Sequence, residues 1–283
     1  MNMNCVFCGP VKNCGPFLET VLSNIEKIAT LFENYVIILY YDHSTDNTLE
    51  ILKRYQRRNN RLHFYVNIHP VSQFRTHRIA NARNFCMEQI RQHYADYPYF
   101  IMMDFDEPNC KTCNILPLQK YLMRENDKTE EEGESNELWD ALSFNTSPKY
   151  YDIWGLSIYP FCFSYNHFNN NQQFYHTIQD YVDNKLKNLK NDELLPCISA
   201  FNGFAIYRTQ KFLNCEYDGR VNLNLVPPAY MAAHMKAANS LLIYKDYGHV
   251  KGRYEDCEHR AFHVQAINKN NAKIRIAPEV IFG

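Results

Sequence analysis

The stretch Tyr99-Phe100-Ile101-Met102-Met103-Asp104-Phe105-Asp106-Glu107 decides the fold of this chain. A run of apolar and aromatic residues is typical of a strand buried on both faces, and the carboxylates follow where that strand ends. In extended backbone, side chains two residues apart point the same way, so Asp104 and Asp106 are expected to face one point. Two anionic oxygen ligands on one side suit Mg²⁺ or Mn²⁺. The competing interpretation is a solvated acidic turn without a ligand.

The residues before this stretch alternate between strand and helix patterns. Strands are predicted at Cys5–Val11, Tyr35–Tyr41 and Leu62–Val66, with an amphipathic helix after each of the first two. This alternation predicts a parallel sheet with helices on its faces, whose ligands bind outside the carboxyl ends of the strands. Asp42 and the carboxylates that begin at Asp104 both lie at that edge, so we expect them to share one cleft.

A third helix is predicted from Arg75 to about His93, and it carries an arginine on its inner face. Ile79, Cys86 and Ile90 form an apolar stripe, and Arg83 falls on it. An inward arginine needs an anionic partner. That partner is either a strand-end aspartate or a phosphate group of a ligand, and the sequence leaves both open.

The composition fits an ordinary globular protein, with 283 residues, 46% hydrophobic and 22% charged. The net charge of -1 argues against general attraction to nucleic acid or to an anionic membrane. No apolar run reaches the roughly 20 residues of a membrane span, and the first residues lack a signal-peptide pattern, so a cytoplasmic location is expected. Its 10 cysteines are expected to be free thiols rather than disulfides or a zinc site.

The second half is less regular. The polar segments Arg124–Glu137 and Asn166–Gln173 predict exposed loops, and Asp180–Asp192 predicts a surface helix or loop. A strand is predicted at Ile198–Arg208. The many aromatic residues between Trp139 and Tyr165 suit sugar stacking, although core packing explains most such clusters.

A last helix is predicted to begin near Asp256, before a strand at Lys273–Ala277. His259 and His263 lie one turn apart on it, a spacing that metal sites use. A polar helix face is the alternative, and one of the two histidines could join Asp104 and Asp106.

Three segments together resemble a known family. They are Asp42-x-Ser44-x-Asp46-x-Thr48 after a strand, Ala80-x-Ala82-Arg83-Asn84, and Asp104-x-Asp106. In this order they are similar to the nucleotide-binding half of GT-A glycosyltransferases of the family-2 type. Later segments resemble algal, fungal and giant-virus members that build surface glycans, and these are Tyr150-Tyr151-Asp152-x-Trp154-Gly155, Asn202-Gly203-Phe204 and Asp256-Cys257-Glu258-His259.

The resemblance implies an α/β fold of the GT-A type, with a Rossmann-like, mostly parallel central sheet flanked by helices and a mixed acceptor-side half. It implies one domain over residues 1–283, with the nucleotide-sugar-binding half at 1–110 and the acceptor-side half at 111–283. It also implies Mn²⁺ or Mg²⁺ as cofactor and a nucleotide-sugar donor.

The resemblance further implies roles for the matching positions. Nucleotide-sugar binding is expected of Asp42, Arg83, Asp104 and Lys12. Metal binding is expected of Asp104, Asp106 and His259. Acceptor or sugar binding is expected of Trp154, Asp152, Asn202 and Gly203. Tyr41 stands where the family commonly has a first aspartate, so the choice of nucleobase stays open.

An inverting reaction needs a carboxylate that takes the proton from the acceptor hydroxyl. Asp256 and Glu258 are equal candidates for this base, and the other would complement the dipole of the helix. A retaining reaction would need no such base, so both stereochemical outcomes remain open.

The sequence therefore predicts a metal-dependent hexosyl- or pentosyltransferase that uses a UDP- or GDP-sugar and a glycan or glycoconjugate acceptor. A non-catalytic sugar-binding or scaffolding protein on the same fold is the alternative. Dinucleotide and P-loop sites are disfavoured because the chain has neither Gly-x-Gly-x-x-Gly nor Gly-Lys-Ser/Thr.

Overall fold

The computed structural model describes residues 3–69, 71–126, 138–168, 170–240 and 255–283. Within these residues, eight strands form one sheet in the order β3-β2-β1-β4-β7-β5-β8-β6. The strands are β1 (Asn4–Val11), β2 (Asn34–Asp42), β3 (Leu62–Asn67), β4 (Tyr99–Met103), β5 (Ala141–Asn145), β6 (Leu195–Cys197), β7 (Phe204–Arg208) and β8 (Ile274–Val280).

The first four strands are all parallel to their neighbours, as the sequence predicts. The second half is mixed, because β7 is antiparallel to both β4 and β5, while β5 and β8 are parallel and β6 is antiparallel to β8. The carboxyl ends of β1, β2 and β4 consequently lie at one edge of the sheet, where the predicted site residues follow.

Helices cover both faces of this sheet. They are α1 (Gly15–Ala29), α2 (Thr48–Gln56), α3 (Arg75–His93), α4 (Leu116–Asn126), α5 (Asn171–Lys187), α6 (Pro228–Ala238) and α7 (Glu258–Asn270). Alternate residues of β1 enter different cores, because Cys5 and Phe7 pack with α1, whereas Val6 and Cys8 pack with α3 and α7. This two-sided burial explains why the strand is apolar at nearly every position.

Two predicted segments differ from the structure. The predicted loop Asn166–Gln173 gives way to α5 at Asn171, because Phe174 and Ile178 begin a buried stripe at helical spacing. The predicted strand Ile198–Arg208 begins only at Phe204, since Asn202 and Gly203 have φ angles of 58° and 81° in the left-handed region.

Of the predicted loop Arg124–Glu137, residues 124–126 belong to α4, and residues 127–137 lie outside the described residues. All ten cysteines are free thiols. None of the helices in the described residues is long and apolar enough to cross a membrane.

Candidate active site

The carboxyl edge of the parallel strands forms one wall of a cavity of about 200 Å³, which we call the first cavity. Lys12 follows β1, Asp42 ends β2, and Asp104 and Asp106 follow β4. All four line the cavity. The predicted convergence of Asp42 with Asp104 and Asp106 is therefore confirmed.

A second cavity of about 220 Å³ adjoins the first, because both are lined by Arg75, Ile79 and Asp104. Its further walls come from the second half of the chain, including the start of α7. The residues used below are Tyr151, Asp152, Trp154, Glu258 and His259. The two cavities thus place carboxylates from distant parts of the sequence around one continuous opening.

The turn after β4 is held rigidly, so its two aspartates have defined positions. The backbone N–H of Asp104 donates to the carbonyl of Gly203 at 2.9 Å. Asn109 Nδ2 donates to the carbonyl of Asp104 at 2.7 Å. Phe105 between the two aspartates is buried and packs with the core that includes α1, although it also lines the first cavity.

The surroundings of Asp106 suit a side chain that binds a cation. Its Oδ1 is buried and has no hydrogen-bond partner among the described residues. Burial, and then the charge of Asp104, raise the pKa of Asp106 to about 6. A divalent cation would compensate this buried charge, and Asp104 and Asp106 offer the hard oxygen ligands that Mg²⁺ and Mn²⁺ prefer.

No three His, Cys, Asp or Glu side chains within the described residues come together to hold a metal ion. The predicted metal role of His259 is accordingly not supported by its position. Its ring stacks on Phe201 at 3.8 Å between centroids, and it lines the second cavity rather than the first. Burial, and then the charge of Arg83, lower the pKa of His259 well below its usual value, so the ring is neutral.

Arg83 pairs with protein carboxylates, which decides between the two partners that the sequence left open. Its Nη2 donates to Asp104 Oδ1 at 2.9 Å, and its Nε lies 3.0 Å from Glu258 Oε1 without hydrogen-bond alignment. The guanidinium also lies over the ring of Phe201 at 4.5 Å. Burial alone would lower the pKa of Arg83, but the carboxylates of Asp104 and Glu258 raise it.

Asp42 is also held by cations of the chain itself. Lys12 Nζ donates to its Oδ2 at 2.8 Å, and Arg78 Nε lies 3.8 Å from the same oxygen. Asn67 Nδ2 donates to Oδ1 at 3.2 Å. Any ligand group that reaches Asp42 would meet two cations beside the carboxylate.

Asp256 and Glu258 differ sharply in position. Asp256 is buried, lines neither cavity, and pairs with Arg260 Nε at 2.9 Å. Arg260 in turn donates to the carbonyl of Trp154 at 2.6 Å. Asp256 therefore supports the wall of the second cavity, and the structure argues against it as a base that meets an acceptor.

Glu258 is the first residue of α7 and lines the second cavity. Burial raises the pKa of its carboxyl, against the lowering effect of Arg83. A carboxyl with a raised pKa accepts a proton more readily than an exposed one, which is a property of a general base.

The preceding Glu255 has a role that the sequence did not suggest. Its Oε1 accepts from the backbone N–H of Thr76 at 2.7 Å and from the Thr76 hydroxyl at 3.1 Å. This carboxylate satisfies a free donor at the first turn of α3 and complements the helix dipole. It thereby fixes the helix start that presents Arg75.

The four predicted sugar contacts separate into wall residues and supporting residues. Asp152 and Trp154 line the second cavity, and the Trp154 Nε1 donor is buried without a partner among the described residues. Asn202 instead accepts through Oδ1 from the backbone N–H groups of Tyr151 and Asp152, at 3.1 and 2.9 Å. Asn202 and Gly203 lie behind the wall and line neither cavity.

Asp152 is a second carboxylate in this cavity, and it is half-buried. Its Oδ1 accepts from the backbone N–H of Gly155 at 2.9 Å, and burial raises its pKa. A Cβ atom at Gly155 would lie 2.5 Å from Asp152 Oδ2, so a larger residue at this position would displace the carboxylate.

Arg75 and Arg78 are site residues that sequence reasoning missed. Both line the first cavity from the first turn of α3, and Arg75 also lines the second. Arg75 is exposed and forms no ion pair with a carboxylate of the described residues, so it is available to an anionic ligand. Their three-residue spacing at the start of the helix was the signal that could have identified them.

Comparison with known proteins gives a family for the first part of the chain. Residues 7–127 match the model of glycosyl transferase family 2. No curated protein matches the chain.

The solved structures that match the chain have low sequence identity. TarS of S. aureus, residues 1–349 in complex with UDP, is 14% identical, with a TM-score of 0.43 over 99% of this chain and 59% of that chain. The mannosyltransferase PcManGT of Pyrobaculum calidifontis, in complex with GDP-Man and Mn²⁺, is 13% identical, with a TM-score of 0.41 over 76% of this chain and 47% of that chain. The present chain therefore spans less than two thirds of either.

The family match covers the parallel strands and the helices that carry Lys12, Asp42, Arg83, Asp104 and Asp106. Residues 7–127 are therefore similar to glycosyl transferase family 2, and their strands and helices have the GT-A arrangement.

Proposed function

We propose that the protein is a metal-dependent glycosyltransferase. It moves a sugar from a UDP- or GDP-sugar to a hydroxyl group of a glycan or glycoconjugate acceptor. The observation that carries this proposal is the pair of adjoining cavities that share Arg75, Ile79 and Asp104. The first offers cations and aspartates to a nucleoside diphosphate, and the second offers aromatic rings and carboxylates to sugars.

In this proposal the first cavity binds the donor nucleotide. Lys12, Arg75 and Arg78 supply positive charge for the diphosphate, and arginine suits phosphate because its donors form a planar fork. Asp42 contacts the nucleobase or ribose from its place beside Lys12 and Arg78. Arg83 lines the second cavity rather than the first, and its almost fully buried guanidinium holds Asp104 in place.

Asp106, with Asp104, would hold the Mn²⁺ or Mg²⁺ ion. The remaining ligands of such an ion would come from the diphosphate and from water, because Asp104 and Asp106 are the carboxylates of this turn that line the first cavity. When bound, the ion would stabilise negative charge on the departing nucleoside diphosphate. The buried and unpartnered Oδ1 of Asp106 supports this assignment.

Glu258 is the proposed general base. An acceptor hydroxyl in the second cavity would transfer its proton to Glu258 while its oxygen bonds to the anomeric carbon and the bond to the diphosphate breaks. This order of events gives inversion at the anomeric carbon. Asp256 is assigned a supporting role, since Arg260 already occupies its carboxylate.

The second cavity is proposed to hold the transferred sugar and the acceptor. Tyr151 and Trp154 present aromatic surface, and Asp152 and the Trp154 Nε1 donor present polar groups that can bond to hydroxyls. Asn202 positions this wall through its bonds to Tyr151 and Asp152.

The deciding experiment measures hydrolysis and transfer from a panel of UDP- and GDP-sugars, with and without Mn²⁺. We expect Mn²⁺-dependent turnover that Asp106→Asn lowers at least about a hundredfold, in a range typical of lost charge stabilisation. Glu107→Gln is the matched control, because Glu107 is the exposed neighbour and does not line the cavity. Full activity of Asp106→Asn would refute the metal role. Glycan binding without turnover of any donor would favour the non-catalytic alternative.

A further inference from the structure

A third cavity of about 800 Å³ lies away from the candidate active site. It is formed between α6, the second half of α7 and the beginning of β8. Its volume is within the range of about 300–1,000 Å³ in which small-molecule sites of proteins fall. The proposed glycosyl transfer assigns no role to this third cavity.

The direction of the elements separates this cavity from the other two. Because β5 is parallel to β8, and β7 is antiparallel to both β5 and β4, strand β8 runs parallel to β4. The start of β8 therefore lies at the edge of the sheet opposite to Asp104. Along α7, Ile267 lies nine residues after Glu258, which is a distance of about 13 Å at 1.5 Å per residue.

Most of the wall is apolar. Val226 and Met231 lie on one side, and Val264, Ile267 and Ile274 lie on the other. Val226, Val264 and Ile274 are almost fully buried, so the apolar surface continues into the interior. Such a wall favours a ligand that buries hydrocarbon, because removal of apolar surface from water is the main source of its affinity.

The charged residues of the wall are all of one sign. Lys273 and Arg275 line the cavity, and none of its described lining residues is acidic. Arg275 Nη1 donates to the carbonyl of Ile274 at 2.9 Å, and no carboxylate within the described residues pairs with its guanidinium. An arginine at an apolar cavity without a carboxylate partner offers its remaining donors to an anion.

The mouth of the cavity has a mixed character. Tyr230 lines it and contacts the exposed ring of Tyr159 at 5.7 Å between centroids. Tyrosine combines an apolar ring with a polar edge and suits the boundary between hydrocarbon and water.

We propose that this third cavity binds a single-chain anionic amphiphile, a long-chain fatty carboxylate. The chain lies between α6 and α7 against Met231 and Ile267, and the carboxylate pairs with Arg275. The proposal is independent of the glycosyltransferase assignment, because it concerns a different cavity at the opposite edge of the sheet.

The test uses dodecanoate as the probe, at concentrations below those at which it forms micelles, and isothermal titration calorimetry on the full chain. We expect saturable binding of one dodecanoate per chain. Dodecyltrimethylammonium has the same chain and a cationic head, and it should bind at least roughly tenfold more weakly, since it loses a charge-assisted bond.

Two variants locate the site. Arg275→Gln should weaken dodecanoate binding roughly tenfold, whereas the matched control Arg58→Gln, an exposed arginine at the end of α2, should leave it unchanged. Met231→Trp should also weaken binding, because the larger side chain fills the cavity. If Met231→Trp does not fold, Arg275→Gln and the comparison of the two head groups still test whether the third cavity binds dodecanoate.

The proposal would be overturned by the absence of saturable dodecanoate binding, by equal binding of the anionic and cationic probes, or by unchanged affinity in Arg275→Gln. Competition between dodecanoate and UDP would also overturn it, because it would place the probe in the first cavity. Loss of glycosyl transfer in any assay would leave this binding result unaffected.

Discussion

The guanidinium of Arg83 lies 2.9 Å from the carboxylate of Asp104, and both residues belong to elements that meet at the shared wall of the two cavities. The same guanidinium lies 3.0 Å from Glu258. One buried cation therefore fixes the proposed donor-side carboxylate relative to the proposed base. A side chain in this position influences the shape of the second cavity, which it also lines.

Arg83→Gln is expected to lower the free energy of unfolding by about 3–5 kcal/mol, because it leaves the buried carboxylate of Glu258 and the partly exposed one of Asp104 without their cation. Urea unfolding followed by circular dichroism measures this change. Arg75→Gln is the matched control, since Arg75 is an exposed arginine of the same helix, and it should change stability by less than about 0.5 kcal/mol. Equal stability of the two variants would show that the buried pair contributes little.

Arg75→Gln should instead weaken nucleotide binding. Loss of one charge-assisted bond to a diphosphate predicts roughly tenfold lower affinity for UDP or GDP in the presence of Mn²⁺. Calorimetric titration measures this affinity. Arg57→Gln is the control, because Arg57 is an exposed arginine that does not line the cavity. If Arg75→Gln binds as tightly as the native chain, the proposed diphosphate contact is wrong.

Glu258→Gln and Asp256→Asn should separate catalysis from stability. Removal of a general base predicts a fall in kcat of about 10²–10⁴ in Glu258→Gln, with donor affinity nearly unchanged. Asp256→Asn should lower the free energy of unfolding by about 3 kcal/mol or more, because Arg260 loses its buried partner. Steady-state kinetics and urea unfolding of both variants provide the measurements. A greater loss of kcat in Asp256→Asn, at unchanged stability, would assign the base to Asp256.

The stability of the metal-free protein should depend on pH through Asp106. Its pKa is about 6 in the folded chain and 3.8 for the ordinary carboxyl, so the folded state keeps a proton that the unfolded state has lost. The free energy of unfolding should therefore decrease by about 3 kcal/mol as pH rises from 4 to above 6. Asp106→Asn should remove this decrease and be more stable than the native chain at pH 7. If the free energy of unfolding depends on pH identically in the native chain and in Asp106→Asn, this prediction is wrong.

Much of the first half could be predicted from sequence because its signals are local. Uninterrupted apolar runs predicted buried strands, and the residues that follow them predicted where the site lies. The end of β4 at Met103 and the inward position of Arg83 were both foreseen from alternation and helical spacing. The second half was less predictable, since the polar start of α5 and the left-handed turn at Asn202 depend on packing against distant residues.

The sequence by itself determined the parallel sheet, the edge that carries Asp42, Asp104 and Asp106, and the need of Arg83 for an anionic partner. Only the tertiary structure decided which anion that is, and which of Asp256 and Glu258 faces the second cavity. These two carboxylates lie two residues apart at the start of α7, and their directions depend on the phase of the helix and on Arg260. Neither the anionic partner of Arg83 nor the directions of these two carboxylates can be inferred from spacing along the chain, because both depend on contacts between residues far apart in sequence.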